Sequence, residues 1–215
     1  MSRPSQKIDD QLIASGIALL PETGCAGLSV RKLVEHAGVN LGMFHYHFKN
    51  KDNFIRVVLQ RLYEGMFADL ELQAAGGDDA IDSLRAAVTV LGSFAREHRA
   101  MLIMLVSEAM QGEPLSLQFL RENLPRHIGV IARLVMRGQA EGRIVNVPVP
   151  QLLPFIVGAI VGPVVAGGAI ERNATLPPQF AALAQAALLS PEALSVRIQL
   201  ALRAIALSPG QELKK

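Results

Sequence analysis

The sequence lacks the cysteines and the leader that mark many exported proteins. Cys25 is the single cysteine among 215 residues, so no disulfide can form within one chain, and such usage suits a reducing compartment. We expect Cys25 to be a small buried apolar residue before the second helix and not a redox switch. The first ten residues, MSRPSQKIDD, are polar and contain no apolar signal core, which favours a cytoplasmic protein.

Motifs of catalysis and metal binding are also missing. There is no glycine-rich phosphate loop after a strand, no G-x-S-x-G, and no cysteine pair with zinc spacing. His45 and His47 are two residues apart, and on a helix such side chains point about 200° apart, so they cannot chelate one metal together. We therefore expect no catalytic residue, no metal and no cofactor. Alternating strand patterns are absent too, which predicts an all-α protein.

Excess charge of either sign is small, but its placement is informative. The formal net charge is +2, and residues 1–51 hold six Lys and Arg against four Asp and Glu. The remaining residues hold fifteen of each sign, so the whole positive excess and three of the five histidines lie at the N-terminus. This is a modest electrostatic signal for nucleic-acid binding.

The stretch from Ser29 to Lys51, SVRKLVEHAGVNLGMFHYHFKNK, carries the strongest pattern in the chain. Ser29 is a good N-cap for a short helix with an apolar face. Gly38 follows where a helix ends in a left-handed residue, and Asn40 can cap a second helix. The pattern predicts a helix-turn-helix, whose second helix normally lies in the DNA major groove.

The second helix of this motif has two different faces. Phe44 and Phe48 are four residues apart and share one face, which we expect to be buried. Gly42 and Tyr46 fall on the opposite face, with Met43 and His45 on its flanks. An outer face rich in aromatic and histidine side chains suits contact with a polar, hydrogen-bonding surface.

These residues resemble the N-terminal hallmark of TetR-family transcriptional regulators. The likeness covers Leu28–Phe54, including GVNLGMFHYHFKNKDNF, and extends weakly to Gly138–Val149, GQAEGRIVNVPV. It implies about nine helices: a three-helix DNA-binding domain over residues 1–51, and a helical effector-binding and dimerisation domain over residues 52–215. Leu41 and Met43 replace residues that are often polar in the family, so apolar contacts such as those with thymine methyl groups become more prominent.

The resemblance also implies which residues contact DNA. Ser29, Arg31, His47 and Lys51 are expected at phosphates. The residues expected in the groove itself are Leu41, Gly42, Met43, His45 and Tyr46.

Helical spacing continues through the rest of the chain. The sequence predicts a first helix ended by Pro21 and Gly24, and a long helix from Asp52 to about Ala74. Further helices are predicted over about 79–97, 99–111 and 115–141, with Pro125 kinking or dividing the last of them. Residues 173–190 are expected to be a loose segment, followed by a final helix over about 191–207.

The predicted second domain is rich in methionine and phenylalanine, which tolerate irregular packing around variable ligands. Ordinary core packing is the simpler explanation for any single one of them. The family resemblance implies that some line a pocket for a small hydrophobic effector, with Glu108 and His127 as polar candidates. The predicted pocket residues are Phe67, Phe94, Met101, Met104, Glu108, Phe119 and His127.

One apolar run, Leu152–Ile170, is long enough to cross a bilayer. Pro154 and Pro163 interrupt it, and no aromatic belt or basic cluster flanks it, so we expect no membrane partner. Small residues four apart instead favour close approach of a partner helix. The predicted dimer interface comprises Gly158, Gly162, Ala166, Leu194, Ile198, Leu202 and Ile205.

Together these features predict a homodimeric regulator that binds a double-stranded DNA operator. A small hydrophobic effector is expected to release the protein from this operator, as it does with a repressor. A DNA-binding activator, or a regulator without a ligand, remains an alternative. A helical enzyme with a purely structural N-terminus is a further alternative from a different class.

Overall fold

The computed structural model describes residues 4–172 and 177–207, and these residues form ten α-helices and a π-helical turn. No strand is present among them, and one isolated antiparallel bridge joins Ile144 to Ala206. The all-α prediction is confirmed, with one helix more than the nine or so expected. The helices are α1 Pro4–Gly27, α2 Val30–Ala37, α3 Leu41–Phe48, α4 Lys51–Ala75, α5 Ala80–Glu97, α6 Arg99–Met110, α7 Pro114–Ala140, α8 Val149–Arg172, α9 Pro178–Ala184 and α10 Pro191–Ile205.

The predicted end of the first helix needs one correction. Pro21 lies inside α1 and does not end it, whereas Gly24 has a left-handed φ of 68° and breaks the helical path. Glycine adopts this conformation without the Cβ strain that other residues incur. Gly24 alone therefore marks the change of direction before α2.

Two further expectations about helix ends also fail. Residues 178–189 were expected to be loose, but they form α9 and a π-helical turn, Gln185–Leu189; residues 173–176 lie outside the described residues. The other expectation concerns Pro125, which does not divide α7 but lies within a continuous helix, as Pro154 and Pro163 do in α8. Each of these three prolines lacks the N–H of a regular helical hydrogen bond, but the helix continues past it.

The chain divides into two compact units. The first comprises residues 1–65 and 100–123, and the second comprises residues 66–99 and 124–215. This division by contacts assigns α6 and the start of α7 to the unit that contains the helix-turn-helix. The functional boundary expected between residues 51 and 52 stays a prediction, since compactness does not test where a function resides.

The core of the first unit is formed by α1, α2, α3, α6 and the first parts of α4 and α7. Leu12 and Leu33 are fully buried in it, as is Phe54, and Met101 and Met104 belong to the same cluster. Burial of side chains of this size stabilises a fold by about 1.5–3 kcal/mol each. The position of the DNA-binding helices thus depends on residues far along the chain.

The second unit is built around the packing of α5, α8 and α10. Gly92 on α5 allows their close approach, because a Cβ there would lie 2.9 Å from Ile160 of α8 and 2.7 Å from Leu194 of α10. Arg99 holds Glu171 by two hydrogen bonds, from Nε at 2.7 Å and from Nη2 at 3.2 Å. Such a bidentate pair fixes both distance and orientation.

Helix α8 is the one helix among the described residues that is long and apolar enough to cross a membrane by length and composition. Its most apolar window has a mean hydropathy of 2.1, and only 28% of that window is buried in the subunit. Phe155 is 45% exposed. A large part of this helix therefore presents apolar surface outward.

Candidate nucleic-acid interface

The caps of α2 and α3 set the geometry of the helix-turn-helix. The hydroxyl of Ser29 accepts the N–H of Lys32 at 3.4 Å, and the side chain of Asn40 accepts the N–H of Met43 at 2.9 Å. Between the helices, Gly38 has a left-handed φ of 66°. The N-caps and the left-handed turn are those the sequence indicates, and each satisfies backbone groups that a helix end leaves unpaired.

Aromatic packing fixes the rotation of α3 about its axis. Phe44 and Phe48 are 0% and 4% exposed, and both contact Phe54 of α4 with ring centroids 5.4 Å and 4.9 Å away. Edge-to-face contacts of this kind add specific geometry to the burial of apolar area. Because these two side chains must face inward, the opposite face of α3 is turned outward.

The outward face carries the residues that the sequence placed in the DNA groove. Tyr46 is 77% exposed and Leu41 is 49% exposed, while Gly42 and His45 are also exposed and Met43 is half-buried. One ring nitrogen of His45 lies 3.2 Å from the carbonyl of Lys49, so the side chain leans toward the end of the helix. The structure thus brings these five predicted residues together on one surface.

The residues expected at phosphates are placed less uniformly. Arg31 is exposed and forms no ion pair among the described residues. The ammonium of Lys51 donates to the carbonyl of Ala26 at 2.8 Å, which leaves two of its three donors uncommitted. The Ser29 hydroxyl already acts as a helix cap. Contact of Ser29, Arg31 and Lys51 with DNA stays a prediction.

His47 has a structural contact that its sequence position does not reveal. Its side chain is only 7% exposed, and Nδ1 lies 2.6 Å from a carboxylate oxygen of Asp9 on α1. This pair ties the last turn of α3 to α1. The expected phosphate contact of His47 is untested, but in this conformation its ring faces Asp9.

Some residues of the site were missed by sequence reasoning. Lys32 and Lys49 are exposed cations beside the motif, and neither side chain has an ion pair in the described part of the chain. Lys49 also has a left-handed φ of 66° directly after α3. The charges of Lys32 and Lys49 can be read from the sequence. The contact of Asp9 with His47 depends on the fold, and no nearby sequence pattern indicates it.

Glu108, expected at a ligand, instead holds the end of α1. One carboxylate oxygen accepts the N–H of Cys25 at 2.8 Å, and the other accepts the hydroxyl of Ser116 at 2.7 Å. Burial, together with the hydrogen bond to Glu108, raises the pKa of the Cys25 thiol to about 12. Cys25 is 1% exposed, so it is the buried apolar residue that we expected, and a thiol with this pKa is protonated at neutral pH.

Comparison with known proteins supports this assignment of the motif. Residues 12–58 match the family model of bacterial regulatory proteins, tetR family. That segment contains α2, α3 and the start of α4, where the geometry above lies. Over these residues the chain is therefore similar to bacterial regulatory proteins of the tetR family.

Solved structures extend the likeness in fold over most of the chain. A regulatory protein in the tetR family from Rhodococcus RHA1 has a TM-score of 0.69 at 15% identity, over 97% of this chain and 100% of that one. The fatty acid degradation regulator FadR from Bacillus halodurans has a TM-score of 0.69 at 18% identity, over 94% and 96%. FadR from Bacillus subtilis in complex with stearoyl-CoA has a TM-score of 0.65 at 19% identity, over 84% and 97%.

At these identities the likeness shows a shared fold, and no curated protein matches the chain.

The residues predicted to bind the effector are split between the two compact units of the protein. Met101, Met104, Glu108 and Phe119 lie in the first unit, whereas Phe67, Phe94 and His127 lie in the second. Two of these side chains contact other residues of the protein. The Arg126 guanidinium lies 4.1 Å from the centre of the Phe67 ring, and the ring centres of Phe94 and His98 are 4.6 Å apart.

Met104 lies in the same compact unit as the recognition helix α3. It is 7% exposed in the core cluster that includes Phe44 and Phe48. Replacing Met104 would therefore disturb the DNA-binding helices directly.

We predict that Asp9→Asn loosens α3 and lowers the free energy of unfolding by about 1–3 kcal/mol. This loss of stability lies between that expected for an exposed ion pair and that expected for a buried one, because His47 is buried while Asp9 is 36% exposed. Urea unfolding of the two proteins measures the difference.

Asp10→Asn is the matched control for this prediction. The Asp10 carboxylate pairs with Arg61 at 3.0 Å, and both side chains are more than half exposed, at 56% and 51%. We expect it to change stability by less than about 1 kcal/mol. Equal losses in the two variants would show that the buried pair does not hold α3.

Proposed function

We propose that this protein is a homodimeric repressor that binds a two-fold symmetric DNA operator through α3 of each subunit and is released by a small hydrophobic effector. The observation that carries the DNA-binding part is the outward face of α3. A nonpolar and aromatic surface with Tyr46 77% exposed is unfavourable in water unless a partner covers it. Base edges and thymine methyl groups are such a partner.

Cations around this face support the proposal; Arg31, Lys32 and Lys49 are exposed and Lys51 is half-buried. Arg31 and Lys32 precede α3, while Lys49 and Lys51 follow it, so positive charge flanks the proposed groove contact on both sides. Charges of this kind contact phosphates and position the protein without reading the base sequence. Such a regulator functions where the DNA is, in the cytoplasm.

A cavity in the first unit supports an effector site. It has a volume of about 370 Å³ and lies between α4 and α7. Val57, Leu59, Leu115 and Phe119 supply its apolar wall, and Arg56, Gln60, Gln118 and Glu122 supply polar groups. This mixture suits a mainly apolar small molecule with one polar end. Phe119 is the one residue of the predicted pocket that lines it.

Helix α4 links this cavity to the recognition helix. Phe54 packs on Phe44 and Phe48, while Arg56 and Val57, two and three residues further along the same helix, line the cavity. A ligand that shifts α4 therefore changes the support of α3. The effector acts through its different affinities for the DNA-binding and the released conformations.

The similar structure of FadR from Bacillus subtilis contains stearoyl-CoA. Transferred to this chain as part of the proposal, it favours an effector with an apolar chain over a sugar or a metal ion.

The dimer is proposed to form through the outward face of α8 and the exposed side of α10. Gly158 and Gly162 have open space where a Cβ would lie, so a helix of a second subunit can approach closely. Val196 and Leu200 of α10 are 53% and 60% exposed and belong to the same proposed surface.

The four predicted interface residues of α10 are placed differently. They are 2–4% exposed within the subunit's own core, where a partner cannot reach them without displacing the helix. These residues are Leu194, Ile198, Leu202 and Ile205. Helix α10 therefore contributes its other face to the proposed interface.

We predict that Arg31→Gln weakens binding to operator and unrelated DNA alike and reduces the salt slope by about one unit, because it removes one phosphate contact. Titration of the DNA upstream of the protein's own gene at several salt concentrations measures the slope. Arg121→Gln removes an exposed charge on α7 and should leave the slope unchanged. A slope that is equal in wild type and Arg31→Gln contradicts this docking.

Tyr46→Ala should behave differently in the same titration. It removes a groove contact and leaves the phosphate contacts, so operator binding should weaken by about 1–3 kcal/mol while binding to unrelated DNA stays constant. If both affinities fall together, Tyr46 does not read the operator. Transcription from the adjoining promoter, measured with and without the protein, then decides between repression and activation.

The effector site is tested by filling the cavity. We predict that fatty acids, acyl-CoA esters or apolar aromatic compounds raise the melting temperature and release operator DNA, and that Val57→Phe abolishes both effects. Val106→Phe makes the same exchange at a residue of α6 that is 36% exposed and should preserve both. Equal responses of the two variants, or binding of polar metabolites alone, exclude this site.

The dimer surface is tested by Gly162→Leu, which fills space that is open in the single subunit. It should therefore leave the subunit folded and overpack only the proposed interface, at a cost of about 1–3 kcal/mol. Sedimentation velocity should show a shift toward monomer. Gly65→Leu makes the same exchange at another open glycine and should not shift the equilibrium; an unchanged dimer in Gly162→Leu places the interface elsewhere.

A further inference from the structure

A groove in the second compact unit runs between α5 and α10. One part has a volume of about 300 Å³ and the adjoining part about 280 Å³. Arg85 and Gln199 line both parts, so the two parts are neighbours along the same helix pair. The combined space is that of a site for a small molecule, and it lies in a different unit from the cavity between α4 and α7.

The charged residues that line this groove are all arginines. They are Arg85 and Arg96 on α5 and Arg203 on α10, and no Asp or Glu is found among the described lining residues. Guanidinium groups stay charged at every pH at which the protein is folded. Three like charges along one concave surface repel one another and create a positive potential that an anion relieves.

These arginines have weak partners or none. Arg203 forms no hydrogen bond or ion pair within residues 4–172 and 177–207. Arg85 pairs with Asp82, but its Nε lies 4.0 Å from the Asp82 carboxylate oxygen and both side chains are about half exposed. Arg96 pairs with the exposed Glu97 at 3.3 Å, but its Nε is buried without a partner. Exposed pairs of this kind contribute little, so the donors remain available.

Neutral donors lie between the arginines. Ser93 of α5 and Ser195 and Gln199 of α10 line the groove, and their side chains form no hydrogen bond within the described residues. The neighbouring Thr89 is committed, because its hydroxyl donates to the carbonyl of Arg85 at 2.7 Å. The groove therefore presents guanidinium, hydroxyl and amide donors that the fold itself does not use.

We propose that this groove binds a small molecule that carries two or more linked phosphate groups. Arg96 lines one part of the groove, Arg203 lines the other and Arg85 lines both, so a chain of phosphates along the groove would meet more of these charges than a single phosphate. Phosphate oxygens match the paired N–H groups of arginine, and the resulting charge-assisted bonds are about twice as strong as neutral ones. Leu194 and Ile198, each 4% exposed, lie at the base of the groove.

The test is calorimetric titration of the full-length protein with inorganic tripolyphosphate, and with monophosphate at matched ionic strength. We expect tripolyphosphate to bind more tightly than monophosphate. Arg203→Gln should weaken tripolyphosphate binding by about tenfold or more, since it removes one charge-assisted contact. The double variant Arg85→Gln with Arg203→Gln should weaken it further.

Two variants control for binding of a polyanion elsewhere. Arg133→Gln removes an exposed charge on α7 in the same unit, and Arg31→Gln removes one beside the DNA-binding face. Both should keep the affinity within about twofold of wild type, since neither removes a contact in the groove. The melting temperature of each variant without ligand shows that it is folded, and Ser195→Ala, a smaller change, should also reduce affinity.

Three results would overturn the proposal. They are no binding of tripolyphosphate to the wild type, equal affinity in wild type and Arg203→Gln, or loss of binding in Arg31→Gln alone. The last result places the polyanion on the DNA-binding face, and none of the three bears on whether that face binds an operator.

Discussion

Burial of Phe44 and Phe48 against Phe54 is the contact on which the rest of the DNA-binding unit depends. A helix of eight residues has too few hydrogen bonds to be stable alone in water, so α3 exists because its aromatic face is buried. The same contact determines which residues are exposed. If either phenylalanine faced outward, Tyr46 and His45 would turn toward the core, and the proposed operator surface would be lost.

Contacts from distant parts of the sequence stabilise this arrangement. Asp9 of α1 holds His47 at the end of α3. At the break in α1, Glu108 of α6 accepts the N–H of Cys25, while Lys51 of α4 donates to the carbonyl of Ala26. The last turn of α1, after the break at Gly24, is therefore attached to two other helices. A ligand that moves α4 acts on a support of the motif and need not touch the motif itself.

Local signals in the sequence were sufficient for the helix-turn-helix. The cap of Ser29, the left-handed Gly38 and the spacing of Phe44 and Phe48 depend on neighbours within a few residues, so the pattern contains them. The pairing of Asp9 with His47 and the hydrogen bonds of Glu108 join residues that are far apart in the sequence, so no local pattern contains them. Sequence spacing cannot show which distant residue a carboxylate will meet.

Apolar periodicity was informative about burial but ambiguous about the partner. The stripe from Leu194 to Ile205 is buried, as its spacing requires, against α5 and α8 of the same subunit. Helix α8 continues through its two internal prolines. Pro154 and Pro163 weaken a helix locally, but packing of Ile156, Ile160 and Val164 in the core outweighs the lost hydrogen bonds.

The central claim is that two copies of α3, presented by a symmetric dimer, read one operator. Selection of bound duplexes from a random-sequence pool measures this most directly, because it assumes neither the operator nor the regulated gene. The account predicts enrichment of an inverted repeat whose half-sites are spaced by about one helical turn or a multiple of it, and loss of that enrichment in Tyr46→Ala. Failure to enrich any sequence, or the same enriched motif in Tyr46→Ala, would contradict it.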